Sequence, residues 1–96
     1  MPTRDVLASF WRDWNGLSSD QQEAFLAAVE RFVADLKAGV LRSGLRVKGI
    51  RGAPGVFELT WTPDGRATFS YGEERRPGEP HIVWRRVGAH EILKAP

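Results

Sequence analysis

The cations of this chain are unevenly placed. Residues 39–96 carry ten Lys/Arg against six Asp/Glu, whereas residues 1–38 carry four against six, so the net charge of +2 conceals a balance of +4 following one of −2. The basic residues include Arg42, Arg46, Lys48, Arg51, Arg66, the Arg75-Arg76 pair and the Arg85-Arg86 pair. A half with this bias suits an anionic partner, and a merely solvated basic surface is the competing reading. The two histidines, His81 and His90, are nine residues apart with no cluster of other ligand types around them, so the spacing supports no metal site. A P-loop and a dinucleotide fingerprint are also missing, and no cofactor is expected. With no cysteine, disulfides, thiolate ligands and cysteine nucleophiles drop out, in keeping with a reducing compartment.

These residues need elements to hold them. Leu7, Phe10 or Trp11, and Trp14 recur at helical spacing and stop at Asn15-Gly16. Ser18 or Ser19, with Gln21 or Gln22 three residues on, makes a capping box for a second helix. Its apolar stripe is Phe25, Val29, Phe32, Val33 and Leu36, and Gly39 stops it. Beyond Gly39 the pattern alternates, predicting strands over 45–51, 56–61, 66–71 and 81–87. A tight turn at Thr62-Pro63-Asp64-Gly65 and a polar loop over 72–80 complete the reading. This predicts an α+β fold, an N-terminal helical hairpin packed on one face of a small, mainly antiparallel sheet. At 96 residues and 42% apolar, one domain over 1–96 is expected. Early charges at Arg4, Asp5, Arg12 and Asp13 argue against a signal or a membrane span, so a soluble cytoplasmic protein is expected.

In order, "PGVFELTW", "DGRATFSYG" and "HIVWRRVGAHEI" resemble the RelE/ParE superfamily of toxins of type II toxin-antitoxin systems, in its RelE-like branch, over roughly residues 5 to 93. The resemblance implies the RelE-like fold and a ribosome-dependent mRNA endoribonuclease. In such members the RNA 2′-hydroxyl attacks the adjacent phosphate without a metal or cofactor, and translation is inhibited. It implies a cognate antitoxin, mRNA and the ribosome as partners, and a heterotetramer or larger toxin-antitoxin complex. That chemistry needs cations at the phosphate, with a base and an acid at the 2′- and 5′-oxygens. Arg66 matches a family arginine on the scissile phosphate. His90 matches a terminal His or Arg, and its ordinary pKa of about 6.5 suits proton transfer. Lys48 and Arg46 fall on the strand where relatives place catalytic side chains, and Glu58 on the following one.

The departures bear on the same chemistry. Glu58 and Thr60 stand where lysine-rich members are basic, and Ile92-Leu93 where many carry a tyrosine. Tyr71 or Trp84 could supply the missing stacking aromatic if either faced the cleft. The family's first strand is expected to be lacking, the sheet being one strand short or the start codon lying upstream, and a sheet edge uncovered in this way would be open to an antitoxin segment or a second copy. Each residue also has a plainer reading. Arg66 could be a surface residue after a turn, His90 a surface histidine, and Glu58 a structural ion pair with Arg66 or Arg85. Arg46, Arg51, Arg85 and Arg86, with Trp84 and Tyr71, are the expected RNA-binding residues, though Arg85 and Arg86 should point to opposite faces of one strand. Arg75 and Arg76 read as solvated, and Trp11 and Trp14 as core packing of the helices. Two other functions share the fold: a ParE-like toxin that inhibits DNA gyrase, and a non-catalytic antitoxin-binding relative.

Overall fold

The computed structural model describes residues 2–96. In chain order it contains β1 (Thr3–Val6), α1 (Ala8–Asn15), α2 (Ser19–Ala38), a 3-10 turn (Ser43–Leu45), β2 (Lys48–Ile50), β3 (Ala53–Thr60), β4 (Gly65–Arg76), β5 (Glu79–Ala89) and a second 3-10 turn (His90–Lys94). The five strands form one sheet in the order β1-β5-β4-β3-β2. β1 runs parallel to β5 and every other pair is antiparallel, so the sheet is mixed.

Local signals set the long helix. The Ser18 side chain accepts the Gln21 N–H, and the Ser18 N–H donates to Gln21 Oε1 at 2.8 Å, closing the capping box. At the other end Gly39 takes a left-handed φ of 80°, which a Cβ would disfavour. Phe25 and Phe32 then descend onto the sheet from one side of α2, and Phe10 from α1. All three meet the Trp84 ring at centroid distances of 5.5 to 6.4 Å. Leu59, Trp61, Ala67, Phe69 and Ile82 complete a single continuous core.

Four expectations are corrected here. A strand precedes the helices: Thr3 to Val6 pairs with His81 to Trp84, so the first strand is present and the helices do not open the chain. Its four residues are too short and mixed to show a period; partners 78 residues away hold it, with Thr3 Oγ1 2.7 Å from His81 Nδ1. The polar stretch 72–80 is mostly strand, because β4 and β5 continue as a ribbon to a two-residue turn at Pro77-Gly78. Both faces of that ribbon are wet, which removes the apolar alternation that would have signalled a strand. The predicted strand over 45–51 shrinks to three residues. Leu45 is buried from a 3-10 turn, and Arg46 leaves it with a left-handed φ of 49°. Lastly, Trp11 is half exposed rather than core, while Trp14 does pack on Phe10 and Phe25.

Candidate functional site

Strand alternation decides which side chains share a face. On β3, Phe57 and Leu59 turn toward the helices, so Glu58 and Thr60 turn away; on β4, Ala67 and Phe69 face the core, so Arg66, Thr68 and Ser70 share the other side. The register sets Lys48 opposite Glu58, Glu58 opposite Thr68 and Thr60 opposite Arg66. Lys48, Glu58 and Arg66 are thereby brought together. Glu58 Oε1 lies 3.9 Å from both Lys48 Nζ and Arg66 Nε, with Glu58 itself buried.

The turn after β3 fixes Arg66. Its Nη1 donates to the carbonyls of Pro63 and Gly65 at 3.1 and 2.9 Å. The Gly65 N–H donates to Thr62 Oγ1 at 2.8 Å, and a Cβ at Gly65 would lie 2.5 Å from the Trp61 ring, so the turn closes only around glycine. Two cations about one carboxylate leave a net positive site. A phosphate oxygen arriving there would be met by Lys48 and Arg66 while Glu58 holds both in place.

His90 begins the terminal 3-10 turn, directly after Ala89, which pairs with Gly65. The backbone register therefore puts it beside the start of β4, where Arg66 stands. The turn lies close because Gly88 has no side chain: a Cβ there would be 3.0 Å from Ile92 Cγ2, and Ile92 is buried. The His90 ring is exposed and makes no hydrogen bond or ion pair among the described residues.

The other predicted residues scatter. Trp84, at 4% exposure, lies in the core and cannot offer a face to RNA. Tyr71 is 46% exposed but packs edge-on to Phe57 and Phe69 on the helix-bearing face, away from Glu58 and Arg66, so it does not stand in for the missing aromatic there. Burial pushes its hydroxyl pKa up. Arg46 and Arg51 are exposed and lie off the strands, Arg46 after the 3-10 turn and Arg51 in the β2–β3 turn. Arg75 is 2.8 Å from Asp5 and Arg76 4.0 Å from Glu79.

The expectation that Arg85 and Arg86 face opposite ways also needs correction. Thr68 pairs with Arg86 but Phe69 with Trp84, so Arg85 is the extra residue of a β-bulge. Both arginines line one hollow. Arg86 is spoken for: its Nε and Nη2 donate to the two oxygens of Asp13 at 2.9 Å each. Burial alone would raise the Asp13 carboxyl pKa, but Arg86, the Val87 N–H and the nearby Arg12 together hold it below its ordinary value. Asp13 and Asp35 carry much of the polar structure, and neither stood out in the sequence. Asp35 accepts Arg42 Nε and Nη2 at 2.8 Å and the Arg42 N–H at 2.9 Å, tying the end of α2 to the segment leading into β2.

Among the described residues no group of three or more His, Asp or Glu is placed to hold a metal ion. No helix is long and apolar enough to cross a membrane.

No family model and no curated protein matches the sequence. Solved structures do match. YafQ from E. coli superimposes with a TM-score of 0.66 at 10% identity, covering 97% of this chain and 98% of that one. A YoeB/ParE toxin from Agrobacterium tumefaciens gives 0.66 at 12% identity over 92% and 98%. The RelB-RelE antitoxin-toxin complex from Methanococcus jannaschii gives 0.63 at 13% identity over 93% of each chain. At these identities the likeness is one of architecture: along nearly its whole length, the chain has the fold of the RelE, YafQ and YoeB/ParE toxins.

Proposed function

We propose that this chain is the toxin of a type II toxin-antitoxin pair and a metal-independent endoribonuclease that cuts mRNA on the ribosome in the cytoplasm. The observation that carries the reading is the Lys48, Glu58 and Arg66 group on the sheet face opposite the helices, with His90 on the adjoining segment. Arg66 and Lys48 neutralise the charge that builds on the phosphate, and Glu58 positions them. The RNA 2′-oxygen forms a bond to phosphorus while the bond from phosphorus to the 5′-oxygen breaks, leaving a cyclic phosphate and a free 5′-hydroxyl. The 2′-hydroxyl loses a proton and the leaving 5′-oxygen gains one. His90 is exposed, has no hydrogen-bond or ion-pair partner among the described residues, and is of the type best suited to one of these transfers near neutral pH.

The fold neighbours include antitoxin-toxin complexes, RelB-RelE and DinJ-YafQ, which supports a cognate antitoxin as partner, held in a heterotetramer or larger assembly. Reading residues 1–96 as one catalytic domain agrees with the single core.

Inducible expression in a bacterial host, with pulse labelling of protein synthesis and mapping of mRNA 5′ ends, tests the proposal. Wild-type chain should arrest translation and produce new cuts. Arg66→Ala and His90→Ala should each reduce cleavage by about 100-fold while leaving the circular dichroism spectrum unchanged. Arrest without cuts would transfer the chain to the gyrase-inhibiting class, and arrest by the double variant would overturn the catalytic assignment.

A further inference from the structure

The sheet face that carries Lys48, Glu58 and Arg66 looks away from the helices, and such a face is ordinarily polar. One row interrupts the pattern. Next to the row of Lys48, Glu58, Thr68 and Arg86, the register sets Val56 opposite Ser70, Ser70 opposite Val83 and Val83 opposite Asp5. Strand alternation turns Val56 and Val83 to the same side as Glu58 and Arg66, and neither joins the core or packs on it, yet both are half-buried.

Small residues keep the floor between the two valines low. Ser70 stands on the central strand, and its hydroxyl has no hydrogen-bond partner among the described residues. Past it comes Gly72, where a Cβ would lie 2.7 Å from His81 Cδ2 and 3.2 Å from Val83 Cγ2, so the buried His81 ring closes that end. At the other end stand Glu58 and Thr68, then Arg66, whose partner Gly88 is covered by Ile92. This makes a shallow dish, floored by Ser70, walled by Val56 and Val83, and open to solvent and to the cations. Strand spacing puts its walls about 10 Å apart, and two residues of rise put its centre about 7 Å from the Glu58 row.

A dish of this shape takes a group that is flat, apolar on its faces, and carried by a chain whose phosphate meets Lys48 and Arg66. A nucleobase of single-stranded RNA is such a group, and bases lifted out of their stack are held by apolar as well as aromatic side chains. An apolar side chain of a protein partner would suit the valines but would bring no phosphate to Lys48 and Arg66.

We infer that the dish of Val56, Ser70 and Val83 seats the base of one nucleotide flanking the scissile phosphate. The inference rests on the nuclease reading. It gives to two aliphatic side chains, one row from the phosphate, the base-holding role that Tyr71 and Trp84 are placed too badly to fill.

Single-turnover cutting of ribosome-bound mRNA by the purified chain, with an abasic residue placed in turn on each side of the cut, tests this. For the wild-type chain, the abasic residue on one of the two sides should raise the half-saturating concentration by about tenfold with little change in the maximal rate. The Val56→Ala, Val83→Ala double variant should show the same loss on intact mRNA and lose nothing more on the abasic one. Both valines lie outside the core, so the thermal midpoint should move little; if the variant does not fold, the wild-type comparison decides alone. Equal cutting of intact and abasic mRNA by the wild-type chain, or an abasic penalty undiminished in the folded double variant, would overturn the inference and leave the nuclease reading standing. A wild-type chain that cuts neither mRNA would instead remove the nuclease reading, and the base seat with it.

Discussion

Glu58 stands between two cations that would otherwise repel each other, at 3.9 Å from each. Its burial makes a direct encounter with substrate secondary and its hold on Lys48 and Arg66 primary. Glu58→Gln keeps the shape and removes the charge. We expect cleavage to fall by about tenfold, against about 100-fold for Arg66→Ala, with the change in the maximal rate rather than in RNA affinity. Single-turnover kinetics at saturating RNA separates the two, and a Glu58→Gln chain as inactive as Arg66→Ala would make Glu58 a participant in the chemistry. The alternation of β3 and β4 made the shared face of Glu58 and Arg66 readable, because a period of two needs only neighbours in sequence. The Asp13 clasp was unreadable for the converse reason: Arg86 lies 73 residues away, and no local pattern links them.

At the scale of elements the most informative one is β1. Parallel pairing to β5 carries it, along with a small polar knot: His81 Nε2 lies 3.0 Å from Asp5 Oδ2, and Arg75 Nη2 donates to the same oxygen at 2.8 Å. His81 is almost wholly buried, so its ring needs both partners. An acceptor-only carboxylate at Nε2 and a hydroxyl at Nδ1 together suit the tautomer protonated on Nε2. Asp5→Ala removes one partner from His81 and from Arg75 at once. It should speed amide hydrogen exchange across Thr3–Val6 by about tenfold, leaving β3 and the β4 core residues protected. Uniformly faster exchange would show that β1 does not open on its own. The β4–β5 ribbon teaches a related lesson. A strand pair with both faces in water has no apolar side to advertise, so only the Pro77-Gly78 turn chemistry marked it.

For the whole molecule, the acid limb of stability follows from carboxylates that the fold has recruited. Hydrogen bonds from the Arg42 side chain, then its backbone N–H, lower the Asp35 carboxyl to about 2. Its folded value lies below the unfolded value of about 4, so the unfolded chain binds the proton first. The contribution is therefore complete above about pH 4 and disappears as the pH falls to about 2, with Asp13 acting in the same direction. Asp35→Asn should be less stable than wild type at neutral pH, and the gap should close as the pH drops through this window. Urea melts at a series of pH values would show it, and a gap that is constant down to about pH 2 would mean that the Arg42 contact contributes nothing through charge. The sequence by itself determined the α2 caps, the turn at Thr62–Gly65, the α+β class and the placing of Glu58 and Arg66 on one face. Each of these rests on residues a few positions apart, where backbone geometry alone sets the outcome. Tertiary structure decided the rest. It paired β1 with β5, sank Trp84 into the core, turned Tyr71 away from Arg66, and bulged β5 so that Arg85 and Arg86 line one hollow, because those outcomes depend on which distant segments compete to cover each surface.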